Sequence, residues 1–128
     1  MYGMGSEQIM AEVVEHLDDM ACGVELTARL VGDKWTLLII RDLADGCKRF
    51  GVLQKTVAGI SPRTLSDRLS NLEASGMITR VPYPEVPPRV EYSLTEMGKG
   101  LIPIIDAMRE YGHKYGEIAL KLMEEAKA

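Results

Sequence analysis

The chain has 128 residues, 46% of them hydrophobic and 27% charged, which is enough for one packed core, too little for two, and incompatible with wholesale disorder. Its longest core-like apolar stretch, residues 35–40, falls far short of the roughly 20 residues that cross a bilayer, so no membrane association is expected. The net charge is -4, which speaks against a uniformly basic nucleic-acid binder.

In chain order, Ile9, Val13, Leu17 and Met20 recur at spacings of four, four and three, which predicts an amphipathic helix over residues 8–21 with an acidic outer face. Leu26 to Val31 reads as a short second helix closed by Gly32. Lys34 to Ala44 reads as a third, whose near-continuous apolar residues (Trp35, Leu37, Leu38, Ile39, Ile40, Leu43) predict deep burial. Asp45-Gly46 ends it, and Phe50, Leu53 and Val57 give one inward face to a fourth short helix.

Ala58-Gly59-Ile60 then forms a turn. Ser61 can cap the next helix and Pro62 suits its first position, where a missing N–H costs nothing. That helix runs to about Ser75, stops at Gly76, and turns Leu65, Leu69 and Leu72 inward. Met77–Val81 and Val90–Leu94 read as two strands, the second alternating Val90, Tyr92 and Leu94 against Glu91 and Ser93. Between them, the four prolines of Pro82–Arg89 predict a stiff projecting loop. Thr95 with Glu96 is expected to cap a long C-terminal helix, bent or broken by Pro103, Gly98, Gly100, Gly112 and Gly116.

Short helix, glycine-containing turn, capped second helix and two strands joined by a loop is the order of a winged helix-turn-helix, an α+β fold that is mainly α. The reading is one domain over 1–128: an N-terminal dimerisation helix at 8–21, a DNA-binding core at 22–94 and a C-terminal dimerisation helix at 95–126. Charge is distributed accordingly. Residues 34–92 hold nine bases against six acids, while residues 1–33 hold one base against seven acids. A local basic field is what phosphate binding needs, although on charge alone a solvated mixed surface fits as well.

Rotation of about 100° per residue turns Arg63, Thr64, Ser66, Asp67, Ser70 and Asn71 outward once the leucines face the core. Arg63, near the helix start, is the candidate for reading a guanine edge, with Ser61, Thr64, Ser66 and Asp67 beside it. Arg68, Lys48, Arg49 and the loop residue Arg89 are candidates for phosphate contact. A helical face alone fits equally a solvated helix in a bundle.

The segments Gly32-Asp33-Lys34-Trp35-Thr36-Leu37-Leu38-Ile39, Arg49-Phe50-Gly51, Gly59-Ile60-Ser61-Pro62-Arg63-Thr64-Leu65-Ser66 and Tyr83 to Thr95, in this order, resemble the HxlR-type winged-helix regulators of the MarR-like superfamily. The resemblance runs from about Cys22 to Gly112. It implies a cytoplasmic dimeric repressor or activator, with the Ser61–Gly76 helix in the major groove and the proline-rich wing near the minor groove. Cys47 stands where the family usually has proline, and Asp33 replaces a common glycine.

Cys22 falls in the family's Cys-x-Val-Glu pattern, here Cys22-Gly23-Val24-Glu25, and the resemblance makes it a candidate sensor of oxidants or electrophiles. A thiol at a helix start feels the positive end of the dipole, while Glu25 opposes ionisation; an inert buried thiol is the alternative. Cys47 reads as a bystander. With two cysteines and no metal-ligand spacing, neither a disulfide scaffold nor a metal site is expected. Glu7 and Glu12 replace the basic start of an export signal, so a cytoplasmic location is expected.

Catalysis is not expected. His16 and His113 are remote from each other and from any nucleophile motif, no glycine-rich phosphate loop follows a strand, and no cofactor is implied. The alternative to DNA binding is a winged-helix module that binds protein.

Finally, Met97, Leu101, Ile104, Met108, Tyr111, Tyr115, Ile118 and Leu122 are spaced four, three, four, three, four, three and four, a heptad seam. Its start can pack on its own domain, but one winged-helix body cannot cover the rest. The expected homodimer pairs this seam (Met108, Tyr111, Tyr115, Ile118, Leu122) with the stripe of Ile9, Val13, Leu17 and Met20, and its DNA site is an inverted repeat. A redox or small-molecule effector is compatible with the sequence, which leaves its identity open.

Overall fold

A computed structural model of the chain describes residues 5, 7–9 and 22–128. Two compact units make up the chain, Met1–Asp33 and Lys34–Ala128. In the first, residues 7–9 are helical and Ile9 is exposed. Val13, Leu17 and Met20 of the expected stripe lie outside the described residues. Helix α1, Gly23–Val31, starts three residues before the expected Leu26, after an extended Cys22 whose carbonyl accepts from Leu26 N at 3.1 Å. Gly23 and Val24 are weak helix formers, which is why the spacing of apolar residues does not reveal this first turn.

The second unit opens with α2, Lys34–Leu43. Thr36, Ile39, Ile40 and Leu43 are buried, whereas Trp35, Leu37 and Leu38 are only half-buried. The uniform burial expected of this helix is therefore corrected: helical geometry can turn only one face to the core, whatever the composition of the rest. Asp42 links its end to the next helix, pairing with Arg41 Nε at 2.8 Å and accepting from Thr56 Oγ1 at 2.6 Å.

Two residues, Lys48–Arg49, form strand β1, followed at once by α3, Phe50–Thr56, with Leu53 buried. The turn to α4, Pro62–Ala74, is closed by buried Val57 and Ile60, and the Gln54 side-chain amide donates to the Ile60 carbonyl. Leu65, Leu69 and Leu72 of α4 are all buried. At its end Met77 N donates to Leu72 O at 2.9 Å and Gly76 N to Glu73 O at 3.1 Å, a Schellman motif whose C′ residue, Gly76, has φ +81°. Glycine takes that conformation at little cost.

Strands β2 (Ile78–Tyr83) and β3 (Arg89–Leu94) pair antiparallel from Ile78↔Leu94 to Tyr83↔Arg89, and β1 adds to the other side of β3 with Lys48 opposite Tyr92. The sheet order is β1-β3-β2. Both long strands reach further into the proline segment than their apolar alternation suggests, so the projecting loop is Pro84–Pro88 instead of Pro82–Arg89. Pro82 is tolerated in β2 because β2 is an edge strand.

The C-terminal segment is broken, as its glycines suggest, but not at Pro103. Thr95 caps only α5, Glu96–Lys99, and α6 begins afresh over Ile102–Tyr111 with Pro103 in its first turn, where proline is helix-compatible. A π-helical turn, Gly112–Gly116, leads into α7, Glu117–Lys127. Leu101 and Ile105 are buried, and no residue of α7 is.

Candidate nucleic-acid interface

Ser61 sets the start of α4. Its Oγ accepts from Thr64 N at 3.1 Å and donates to Thr64 Oγ1 at 2.9 Å, so the Thr64 hydroxyl keeps its own proton for an outside acceptor. With the three leucines buried, Arg63, Ser66, Asp67, Ser70 and Asn71 are exposed on the far face, and Thr64 and Arg68 are half-buried on the flank. The N-terminal turn therefore presents a guanidinium, hydroxyls and a carboxylate on one rigid element, as reading a base edge requires.

Strand alternation sorts the remaining bases. Ile78, Arg80 and Pro82 of β2 share a face with their partners Leu94, Tyr92 and Val90, and Lys48 joins them opposite Tyr92. Ile78, Tyr92 and Leu94 are buried, so this is the face packed on the helices. Arg49, Glu91, Val81, Tyr83 and Arg89 lie on the other face. The structure thus separates Arg89 from Lys48 and Arg80, which sequence reasoning grouped only by charge.

Arg89 is heavily engaged. Its Nη2 lies 3.1 Å from Glu85 Oε1 and its guanidinium carbon 4.2 Å from the centre of the Tyr83 ring. Its Nε stands 3.3 Å from Glu91 Oε1, near enough for ion pairing but out of line for a hydrogen bond. The other Glu91 oxygen, Oε2, accepts from Cys47 Sγ at 3.4 Å. Lys48 Nζ donates to Gly46 O at 3.4 Å, and Arg49 is exposed. At the wing tip Val86 is fully exposed.

Arg80 is the residue sequence reasoning passed over. It is exposed, and it lines a cleft of about 360 Å³ with Ser66 and Ser70 of α4, Glu73, Phe50 and Tyr92. Two-residue alternation from buried Ile78 would have placed it on the helix side of the sheet.

Cys22 and Cys47 are free, exposed thiols, so the buried-thiol alternative for Cys22 does not hold. Met108, Tyr111, Tyr115, Ile118 and Leu122 are all exposed. Among the described residues no helix is long and apolar enough to cross a membrane.

Residues 30–119 match the family model described as HxlR-like helix-turn-helix. An HTH-type transcriptional regulator of Methanothermobacter thermautotrophicus is 48% identical over 99 residues, covering 77% of this chain and 76% of that one. The HTH-type transcriptional regulator YdeP of Bacillus subtilis is 42% identical over 111 residues, 87% of each chain. Among solved structures, the redox regulator HypR in its reduced form superimposes with a TM-score of 0.73 at 38% identity, covering 78% of this chain and 99% of that one.

Proposed function

Because the chain belongs to the HxlR-like helix-turn-helix family, we propose that it is a sequence-specific regulator of transcription that binds duplex DNA as a homodimer. The observation that carries this reading is the split of α4: three leucines buried, and Arg63, Ser66 and Asp67 exposed on the opposite face behind the Ser61 cap. Arg63 reads a guanine, Asp67 accepts from a cytosine amine, and Thr64 and Ser66 donate to base or phosphate oxygens. Ser61 and Arg68 flank this patch, and Lys48 and Arg49 meet the backbone.

The homodimer is supported by the distal seam. Met108, Tyr111, Tyr115, Ile118 and Leu122 are between 45% and 66% exposed, on a segment with no buried residue beyond Ile105. Two such seams facing each other remove this apolar area from water, the dominant driving force for association. The N-terminal stripe from Ile9 joins the same interface in this reading.

Regulation enters through Cys22, exposed at the start of α1 with a free thiol. Oxidation or alkylation there alters DNA affinity, a reading supported by the redox regulator among the structural relatives. Selection of bound sites from a random duplex pool tests the DNA reading. An unenriched pool with salt-independent binding would favour a module that binds protein instead.

A further inference from the structure

We infer that Arg80 supplies the DNA-backbone contact beside the reading helix, and that Arg89 braces the wing without touching phosphate. The inference rests on the DNA-binding reading and assigns the electrostatic work within it.

Two observations separate these arginines. Arg80 lies on the sheet face that packs against the helices, and its side chain borders the same cleft as Ser66 and Ser70, which form one flank of the exposed face of α4. When α4 enters a major groove, that flank faces one of the strands bounding the groove, so a cation there meets phosphate. Among the described residues no carboxylate is ion-paired with Arg80; Glu73 is the one acid lining its cleft, and it too is exposed. The Arg80 guanidinium can therefore pair with phosphate without first giving up a protein partner.

Arg89 has the opposite circumstances. It projects from the other sheet face, is surrounded by Glu85, Glu91 and the Tyr83 ring, and keeps only 25% of its side chain exposed. To reach a phosphate, the Arg89 guanidinium would first have to leave both carboxylates and the Tyr83 ring. The same contacts join the end of β2, the loop and β3, so Arg89 fixes the path of Pro84–Pro88 and with it the fully exposed Val86 at the tip. It is a positioning residue.

Salt dependence distinguishes the two roles, because each phosphate contact contributes about 0.9 to the slope of log affinity against log salt. The affinity of the full chain for a mixed-sequence duplex should be measured from roughly 50 to 200 mM salt for wild type, Arg80→Gln, Arg80→Lys and Arg89→Gln. Arg80→Gln should lower the slope by about one unit, so that its affinity falls about threefold less than wild type's across that range, and Arg80→Lys should restore the slope. Arg89→Gln should bind more weakly at every salt concentration with the wild-type slope, and should unfold at lower urea. An unchanged slope in Arg80→Gln, with unfolding like wild type, overturns the Arg80 contact. A slope lowered by one unit in Arg89→Gln overturns the brace. If wild type itself shows no salt-dependent binding, the DNA reading fails, and both roles with it.

Discussion

Gly98 lies directly against the backbone of Met77: a side-chain carbon on Gly98 would stand 2.1 Å from the Met77 carbonyl oxygen and 3.1 Å from Leu94 Cδ2. The contact belongs to a small backbone knot. Thr95 Oγ1 donates to Gly76 O at 2.6 Å, Thr95 N donates to Met77 O at 3.0 Å, and Gly98 N donates to Thr95 Oγ1 at 3.1 Å. The knot holds the turn after α4 to the start of the C-terminal segment, so it fixes where α4 ends. Gly98→Ala must push backbone apart and should cost about 2 kcal/mol, lowering the Tm by roughly 10 °C. Calorimetry of the variant beside wild type checks this.

The cap at the other end of α4 makes a second prediction. Ser61→Ala removes the acceptor for Thr64 N and the partner of the Thr64 hydroxyl. Stability should fall by about 1 kcal/mol. DNA affinity should fall further than that of an equally destabilised core variant such as Leu72→Val, because only Ser61→Ala loosens the turn that carries Arg63. Urea unfolding and binding, measured on both variants, separate the two effects.

How far the sequence anticipates this structure follows from which signals are local. The α4 boundaries are legible because Ser61-Pro62 and Gly76 each have a local reason to start or stop a helix, and Leu65, Leu69 and Leu72 repeat at its period. Strand β1 is not legible, since two residues carry no alternation and pair only because β3 lies beside them. The extension of β2 through Pro82 was hidden for a related reason: proline argues against a strand until the strand is known to be an edge. In the candidate site, Arg63 could be found from helical rotation alone. The engagement of Arg89 could not, because Glu91 reaches it through the strand's own face and Tyr83 through cross-strand pairing. Charge counts treat Arg80 and Arg89 alike, and only the register separates them.

The distal seam supplies a third prediction. Tyr111 and Tyr115 already pack ring to ring at 5.2 Å, leaving one side of each available, and Ile118 and Leu122 continue the row one and two turns on. Asp at both Tyr115 and Ile118 should weaken the dimer by at least tenfold and reduce operator binding steeply, without lowering the helix content of the monomer. Sedimentation of wild type and variant at micromolar concentration reads this out. A wild type that sediments as a monomer there would contradict the interface.

Cys22 supplies a fourth. Its thiol is free and exposed, and serine replaces it with little change in size, so Cys22→Ser should bind operator as wild type does under reducing conditions. After treatment with diamide or a quinone, wild type should change affinity and Cys22→Ser should not. Including Cys47→Ser separates the two thiols, since Cys47 Sγ already donates to Glu91. Equal affinities of wild type before and after treatment would leave Cys22 without a sensing role.

Selection from a random duplex pool at two salt concentrations decides whether α4 reads a DNA sequence. Wild type should enrich an inverted repeat with half-sites about 10 to 11 base pairs apart, centre to centre, or a small multiple of that. Arg63→Ala should cost about 1 to 3 kcal/mol on the selected site and relax the preference at one position of each half-site. A pool that gains no common sequence, with affinity flat in salt, would mean that α4 does not read DNA.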